Sequence, residues 1–379
     1  MRSRLPFRAL QSPHILFRLI LNLLVKHEKP ALPRRILVMH QLLLGDTLMT
    51  TSLLAKLREC YPDSEIYVAV RESFVPLYAG RPYEVKAVPF NPFSPISFLS
   101  LLGLPKCDLA FIPGDNRYGW TAFALGSRWI VGFGGDRPGY KSWCFNELVP
   151  WPEIPQTWSD IAANLIEGPP PKPFRDGDWP PPECGSFPMP GKPFAVIHVG
   201  TRSPLKSWPA DKWQGVISGI KRKGLTVALS CGPDETRILE KLEADKEDYI
   251  YPGNLSLAQM WKLLEDADLL VCPDNGISHL ARIIGTPTVC LYGPASHVLF
   301  GSGCFWSERP FKPVSKPLPC RNQHNLFKRP IPWIETCERS PEDCLYARCM
   351  EAIEVRDVLD AIEEVFMLMS PLRGPECAA

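Results

Sequence analysis

Four short segments of the 379-residue sequence carry side chains whose types and spacing suit chemistry on an anionic ligand. In the run GDTLMTTSLLAKL, Gly45-Asp46 stands where a strand gives way to a helix. Gly45 permits a tight turn, and Asp46 is either the helix N-cap or a carboxylate directed into a cleft. Thr50 and Thr51, one helical turn on, either bind a substrate or satisfy the backbone. The second segment, His198-Val199-Gly200-Thr201-Arg202, runs on to Lys206 and Trp208-Pro209. Backbone amides, the Thr201 hydroxyl and the Lys206 ammonium together would neutralise a phosphate or diphosphate, unless the loop is merely solvated. The third, Pro273-Asp274-Asn275-Gly276-Ile277-Ser278-His279, opens a helix directly after an apolar strand, where free N–H groups bind anions. Here Asp274 is alternatively a simple cap and His279 a structural histidine. The fourth, Cys231-Gly232-Pro233-Asp234-Glu235, places a carboxylate within reach of ribose hydroxyls or of the following helix start.

Several patterns are missing. There is no G-x4-G-K-[ST], no G-x-G-x-x-G and no H-E-x-x-H. The D-x-D strings Asp176/Asp178 and Asp266/Asp268 fall in a linker and at a helix end, so no metal is expected at the reacting site.

These segments need strand ends to position them. From Arg34 onward, short apolar runs alternate with helical patterns: 36–39, a helix from Asp46 to Cys60, then 66–70, 108–112 and 129–133. The alternation predicts βαβ units and a parallel sheet. It stops between Gly168 and Pro193, which hold ten prolines and read as a stiff, extended linker. It resumes with strands at 194–199, 225–230, 268–272 and 288–292 and helices at 211–223, 234–246, 257–266 and 277–284. Near-continuous Val/Ile/Leu strands mean sheets covered on both faces. The expected fold is therefore α/β, with two doubly wound Rossmann-like domains facing a cleft, ligands sitting at the carboxyl ends of the strands. The divisions expected are an N-terminal segment 1–32, a first domain 33–167, the linker 168–193, a second domain 194–352, and a C-terminal helix and tail 353–379.

Composition agrees with a soluble, ordered protein of about two domains: 45% hydrophobic and 22% charged residues. A net charge of +1 gives no reason to expect nucleic acid as a partner. Residues 15–25, ILFRLILNLLV, are too short to span a bilayer core of about 30 Å. Arg18, Asn22 and Lys26 recur every four residues as a polar stripe, behind Arg2, Arg4 and Arg8. The segment reads either as a basic amphipathic helix on an anionic membrane surface or as a helix packed on the protein itself. The charged KHEKPALPRR that follows offers no signal-peptidase site. Thirteen cysteines, several inside apolar strands, suit a reducing cytoplasm. Cys320, Cys337, Cys344 and Cys349 contain no C-x2-C pair and are either loose structural thiols or a metal or disulfide clip.

Three ordered stretches carry a family resemblance: RILVMHQLLLGDTLMTTSLLAKLRECYPDSEI, VIHVGTRSPLKSWPADKW, and DADLLVCPDNGISHLARIIGTPTVCLYGP, with CLYARCMEAIEVRDVLDAI as a tail. Over roughly residues 34–366 the chain resembles glycosyltransferase family 9, the ADP-heptose:lipopolysaccharide heptosyltransferases. The resemblance implies the GT-B fold and inverting, metal-independent transfer of heptose from ADP-heptose to a lipopolysaccharide core or related glycolipid, without a cofactor. It also implies work in the cytoplasm at the inner face of the cytoplasmic membrane. By motif, Asp46 matches the general base and Lys206 the lysine that stabilises the departing diphosphate. Gly200, Thr201, Arg202, Glu235, Asp274, Asn275, Gly276 and His279 match the donor site, and Thr50, Arg117 and Arg137 are candidates for the acceptor. The chain departs from the family's pattern at His40-Gln41, where a basic residue is common, and at Gly200-Thr201, where a Thr-Thr pair is. Another nucleotide-sugar donor, or an epimerase or hydrolase of the same fold, is the alternative reading.

Overall fold

The computed structural model describes all residues except 1–2, 25–27, 243–244, 246–247 and 369–379. Arg2, Lys26 and Lys246, which entered the readings above, lie outside the described residues. The chain divides into two units. The first comprises residues 1–172, 178–180 and 325–333; the second comprises 173–177, 181–324 and 334–379.

The first unit holds strands β1 (Arg35–Met39), β2 (Glu65–Val70), β3 (Lys86–Pro89), β4 (Leu109–Ile112), β5 (Trp129–Phe133) and β6 (Glu147–Val149). Their order is β3-β2-β1-β4-β5-β6 and each pairing is parallel. Its helices are α1 (Leu5–Leu24), α2 (Leu44–Met49), α3 (Thr51–Cys60), α4 (Pro95–Leu102), α5 (Gly119–Ala124) and α6 (Trp158–Ala163). The second unit repeats the plan with β7 (Phe194–His198), β8 (Thr226–Cys231), β9 (Tyr249–Pro252), β10 (Leu269–Pro273), β11 (Thr288–Tyr292) and β12 (Phe311–Ser315), ordered β12-β11-β10-β7-β8-β9, again all parallel. Its helices are α7 (Ala210–Arg222), α8 (Leu257–Asp266), α9 (Gly276–Ile284), α10 (His297–Phe300), α11 (Arg348–Glu351) and α12 (Val355–Leu368). Both sheets are doubly wound, and each reverses its strand order between its first and fourth strand. The reversals fall between β1 and β4 and between β7 and β10.

Differences from the sequence reading have local causes. The helix expected over 46–60 is broken at Thr50, whose ψ of 2° separates α2 from α3. The helix expected from Asp234 shrinks to a 3-10 turn, Thr236–Lys241. The proline-rich stretch is no free spacer. Two of its three large aromatics, Phe174 and Trp179, are buried, Phe174 beside Trp306 in the second unit and Trp179 donating to the Leu77 carbonyl in the first. Residues 325–333 join the first unit although they lie within 194–352, and the tail helix α12 belongs to the second unit's core through Val358, Ile362 and Val365.

Helix α1 is 20 residues long, nearly twice the apolar run that predicts it. Phe7 anchors it among Phe90 and Phe98. Arg18 turns inward, donating to the Ser127 carbonyl at 3.2 Å. Leu16, Phe17, Leu19, Ile20 and Leu24 are exposed, as are Ile96 and Leu99 of α4, the helix that α1 packs on through Phe7 and Phe98. The polarity of the outer half is thus the reverse of a water-facing helix. Among the described residues no helix is long and apolar enough to cross a membrane.

Candidate active site

In the second unit the loops after β7 and β10 flank the strand reversal, the place where doubly wound sheets hold ligands. Lys206, from the β7 loop, pairs with Asp274, from the β10 loop, through both the carboxylate and the backbone carbonyl (3.1 Å). A second link crosses the same gap: Asn275 Nδ2 donates to the Gly200 carbonyl at 2.9 Å. Asn275 Oδ1 also accepts from the Ile277 and Ser278 amides, so Asn275 is the N-cap of α9. Asp274 is therefore not the cap. The fully open helix start expected from sequence is corrected too, since two of its first amides are already occupied by the cap. That choice of cap leaves the Asp274 carboxylate to Lys206.

His279 is buried, with Nε2 3.9 Å from Asp274 Oδ1 and Nδ1 without a partner among the described residues. Burial first, then Arg282 and Lys206, hold it well below its usual pKa, so the ring is neutral. Glu235 folds back to accept from the Gly232 amide at 2.9 Å, and this carboxylate and amide crowd Gly200. A Cβ on residue 200 would stand 2.2 Å from the Glu235 carboxylate and 2.7 Å from the Gly232 nitrogen, which is why glycine is needed there. Thr201 is half-buried and Arg202 exposed on the same loop. His198, which opened the motif, is structural: it bonds Ser230 at 3.0 Å inside the sheet, and burial lowers its pKa to about 4.

In the first unit Asp46 lies in the first turn of α2, half-buried. The N-cap is Leu43, so the capping reading of Asp46 is not realised. Its backbone is held by Trp158 of α6, whose Nε1 donates to the Asp46 carbonyl at 3.2 Å. Arg71, at the end of β2, grips the approach loop through the carbonyls of Leu42 (3.0 Å) and Gln41 (3.3 Å). His40 is buried in that loop, and burial, reinforced by Arg71, lowers its pKa to about 3. Thr50 does not serve an acceptor: it is fully buried and its hydroxyl donates to the Thr47 carbonyl at 2.7 Å.

The two basic residues expected to meet an acceptor differ in setting. Arg137 is exposed, as is nearby Arg128. Arg117 and Lys141 belong to an ion network with Asp115 and Asp136: Arg117–Asp115 2.8 Å, Lys141–Asp136 2.7 Å, Lys141–Asp115 3.4 Å. Arg329, from the 325–333 hairpin, completes it at 3.5 Å from Asp136 and 2.8 Å from Asn116 Oδ1. Arg117 and Lys141 also line a cavity of about 410 Å³ with Arg4, Arg8, Trp120 and Tyr140, walled on one side by α1. Among the described residues no group of three His, Cys, Asp or Glu side chains is placed to hold a metal.

Sequence reasoning missed Trp158, Arg71, Arg282 and Arg329. Each acts on backbone carbonyls or neighbouring side chains from a distant segment, and no local spacing announces it. Arg282, fully buried, ties α9 to the Phe300 and Gly301 carbonyls at 3.1 and 2.8 Å.

Two doubly wound units, each built on a parallel six-stranded sheet, define a protein of the GT-B fold. The chain belongs to glycosyltransferase family 9 (heptosyltransferase), whose sequence model matches residues 119–326, more than half of it. Lipopolysaccharide heptosyltransferase 1 of Salmonella typhimurium is 32% identical over 111 residues, 29% of this chain and 35% of that protein. The Pseudomonas aeruginosa protein of that name is 34% identical over 108 residues, 28% of this chain and 30% of it. The matches thus span about a third of these relatives' own length. In fold the chain is similar to a family 9 glycosyltransferase from Veillonella parvula, at a TM-score of 0.67 and 16% identity, covering 88% of this chain and 97% of that one. It is likewise similar to the ADP-heptose lipopolysaccharide heptosyltransferase II of E. coli, at 0.65 and 18%, covering 88% and 99%.

Proposed function

We propose that the chain is an inverting glycosyltransferase that moves heptose from ADP-heptose to a lipopolysaccharide core or related glycolipid. The observation that carries this reading is the Lys206–Asp274 pair bridging the β7 and β10 loops, reinforced by the Asn275–Gly200 bond. It sets an ammonium, the Thr201 hydroxyl and a helix start at one sheet reversal, in a chain of family 9. A diphosphate leaving group needs that combination.

In the proposed reaction Asp46 takes the proton of the acceptor hydroxyl as its oxygen attacks the anomeric carbon. The bond from that carbon to the diphosphate oxygen breaks on the opposite side, with inversion. The negative charge that ADP gains is met by Lys206 and the α9 start, so these residues supply the stabilisation without a metal. Gly200, Thr201, Arg202, Asp274, Asn275, Gly276 and neutral His279 form the donor's phosphate end, and Glu235 the ribose end. Arg117 and Arg137 meet acid groups of the acceptor.

The outward apolar face of α1, with basic Arg4 and Arg8 at its start, supports attachment to the inner face of the cytoplasmic membrane. Deleting α1 is a poor test because Phe7 is core. Phe17→Glu with Ile20→Glu leaves the core alone, and the doubly substituted chain is expected to stop sedimenting with anionic vesicles.

Two measurements test the assignment. Thermal shift with ADP, GDP, UDP and dTDP should favour ADP, and preference for another nucleotide overturns the heptose donor. Asp46→Asn should keep the ADP shift and lose most transfer. Transfer near the parent rate removes Asp46 as the base.

A further inference from the structure

Residues 325–333 form a hairpin of the first unit, whose two short strands, β13 (Asn325–Leu326) and β14 (Arg329–Pro330), pair antiparallel. The two residues of its turn, Phe327 and Lys328, have φ values of 47° and 66°. A two-residue hairpin turn with positive φ at both positions is ordinarily written Asn-Gly. A phenylalanine there is a steric outlier, and such a conformation persists only where the surroundings over-determine it. The turn itself gains nothing from Phe327, so the use of this residue lies in its ring.

The hairpin is fastened without that ring. Arg329 Nε donates to the Gly134 carbonyl at 2.9 Å and Nη2 to Asn116 Oδ1 at 2.8 Å, and Trp333 Nε1 donates to the Pro152 carbonyl at 2.8 Å. What the ring adds is an edge-to-face contact with Trp158, 4.9 Å between centroids. Trp158 is fully buried, and two other ring neighbours, Trp151 and Phe133, stand farther off at 6.2 and 6.3 Å. Trp158 is the residue whose Nε1 holds the Asp46 carbonyl. Helix α2 depends on that bond. It is six residues long, it ends at Thr50, and its N-cap Leu43 has no side-chain oxygen to offer. A helix this short has no stability of its own. Its carbonyls are held from α6 instead, Asp46 by Trp158 and Met49 by Ser159 Oγ at 2.7 Å.

We propose that Phe327 is a positioning residue for Asp46: by seating the Trp158 indole it fixes the Asp46 backbone, and so the place from which the carboxylate meets the acceptor hydroxyl. The inference rests on the reading of Asp46 as the base. Phe327 itself touches no reacting atom. A carboxylate displaced by a fraction of an ångström still binds a proton but no longer faces the attacking oxygen, so turnover falls while donor binding stays.

The test uses the full chain with a lipopolysaccharide-core acceptor and reads kcat and KM for ADP-heptose separately. Phe327→Ala should lower kcat about tenfold with KM unchanged. Phe327→Asn combined with Lys328→Gly supplies the preferred turn residues and keeps Arg329 and Trp333. This double turn variant should melt higher than Phe327→Ala and still lose kcat to the same extent. Phe327→Tyr keeps the ring edge and should stay within about twofold of the parent kcat. In an Asp46→Asn background the double turn variant should cost nothing further, because a residue that acts through the base has no effect once the base is gone. Parent-like kcat in the double turn variant, a kcat that follows melting temperature across the three variants, or an undiminished effect in the Asp46→Asn background overturns the proposal. Near-parent transfer by Asp46→Asn alone removes the base itself and the positioning role with it. The expected loss there beside an unaffected double turn variant removes the positioning role alone.

Discussion

Replacing Lys206 by methionine separates two consequences of its pairing with Asp274. The first is on stability. Removing one partner of a fully buried pair costs about 3–5 kcal/mol, because the other charge stays buried without compensation. Asp274 is deeply buried, its side chain 7% exposed, but that of Lys206 is 28% exposed. Solvent screens the pair, which brings the expected loss down to about 1–2 kcal/mol. At about 2–4 °C per kcal/mol for a unit of this size, the second unit should melt about 2–8 °C lower. The second consequence is on rate. Losing one cation aimed at a developing charge costs about a hundred- to a thousandfold in turnover. The assay is ADP release from ADP-heptose with a lipopolysaccharide-core acceptor, run well below the melting temperature and read as kcat and KM separately. Lys206→Arg, which keeps the charge, should recover part of the rate. Turnover by Lys206→Met within about threefold of the parent, with the expected melting loss, would show that Lys206 only braces the two loops. Equal losses in the Met and Arg variants would remove the charge argument in the same way.

Three further outcomes follow from the geometry. Folding lowers the pKa of His198 to about 4 and that of His40 to about 3, below the unfolded value of about 6.5, mainly through burial. The unfolded chain therefore binds more protons at acid pH. Stability should be full above about pH 6.5 and fall toward pH 4, His198 accounting for about 3 kcal/mol at most; urea midpoints unchanged from pH 7 to pH 5 would contradict this. Gly200→Ala drives a Cβ into the Gly232 amide and the Glu235 carboxylate and should abolish the ADP thermal shift at a stability cost of about 1–3 kcal/mol; an unaltered shift would mean that this turn does not carry donor binding. Arg329→Met strips a fully buried cation from Asp136 and Asn116 and should destabilise the first unit by about 3–5 kcal/mol in urea unfolding, where a loss under about 1 kcal/mol would show the network to be dispensable.

Eight of the twelve strands in the two six-stranded sheets are readable as apolar runs, and the four that are not, β3, β6, β9 and β12, are the outermost strands of those sheets. The reason is physical. An inner strand of a doubly wound sheet is covered on both faces and writes itself as a continuous Val/Ile/Leu run. An edge strand such as Tyr249–Pro252, half-exposed or exposed at all but one position, needs no such run. The helix expected over 257–266 coincides with α8 (Leu257–Asp266), whose apolar face and Ser256/Gln259 capping box are both local features.

The site residues divide by a different rule. Asp46, Lys206 and Asp274, the proposed site residues, stand out in the sequence because they follow readable strands, and strand ends at a sheet reversal are where side chains converge. What each does there was not readable. Whether Asp274 caps α9 or pairs with Lys206 depends on Asn275 taking the cap, and a D-N-G sequence permits either. Whether Thr50 faces a ligand or its own backbone depends on the break between α2 and α3. Arg71, Trp158 and Arg329 lie 25, 112 and 283 positions from Asp46, and they matter only through carbonyls and carboxylates that folding brings to them. Strand position is thus encoded locally by burial, while the state of a charged side chain at a strand end is set by which distant partner reaches it first. A variant at Asn275 makes the distinction measurable. Asn275→Ala frees the Ile277 and Ser278 amides and the Gly200 carbonyl together. If the cap decides the role of Asp274, the carboxylate should turn toward the vacated amides and weaken its hold on Lys206, lowering ADP affinity although no proposed phosphate-binding charge has been removed. Unchanged ADP affinity in that variant would mean that the Lys206–Asp274 pair forms independently of the cap.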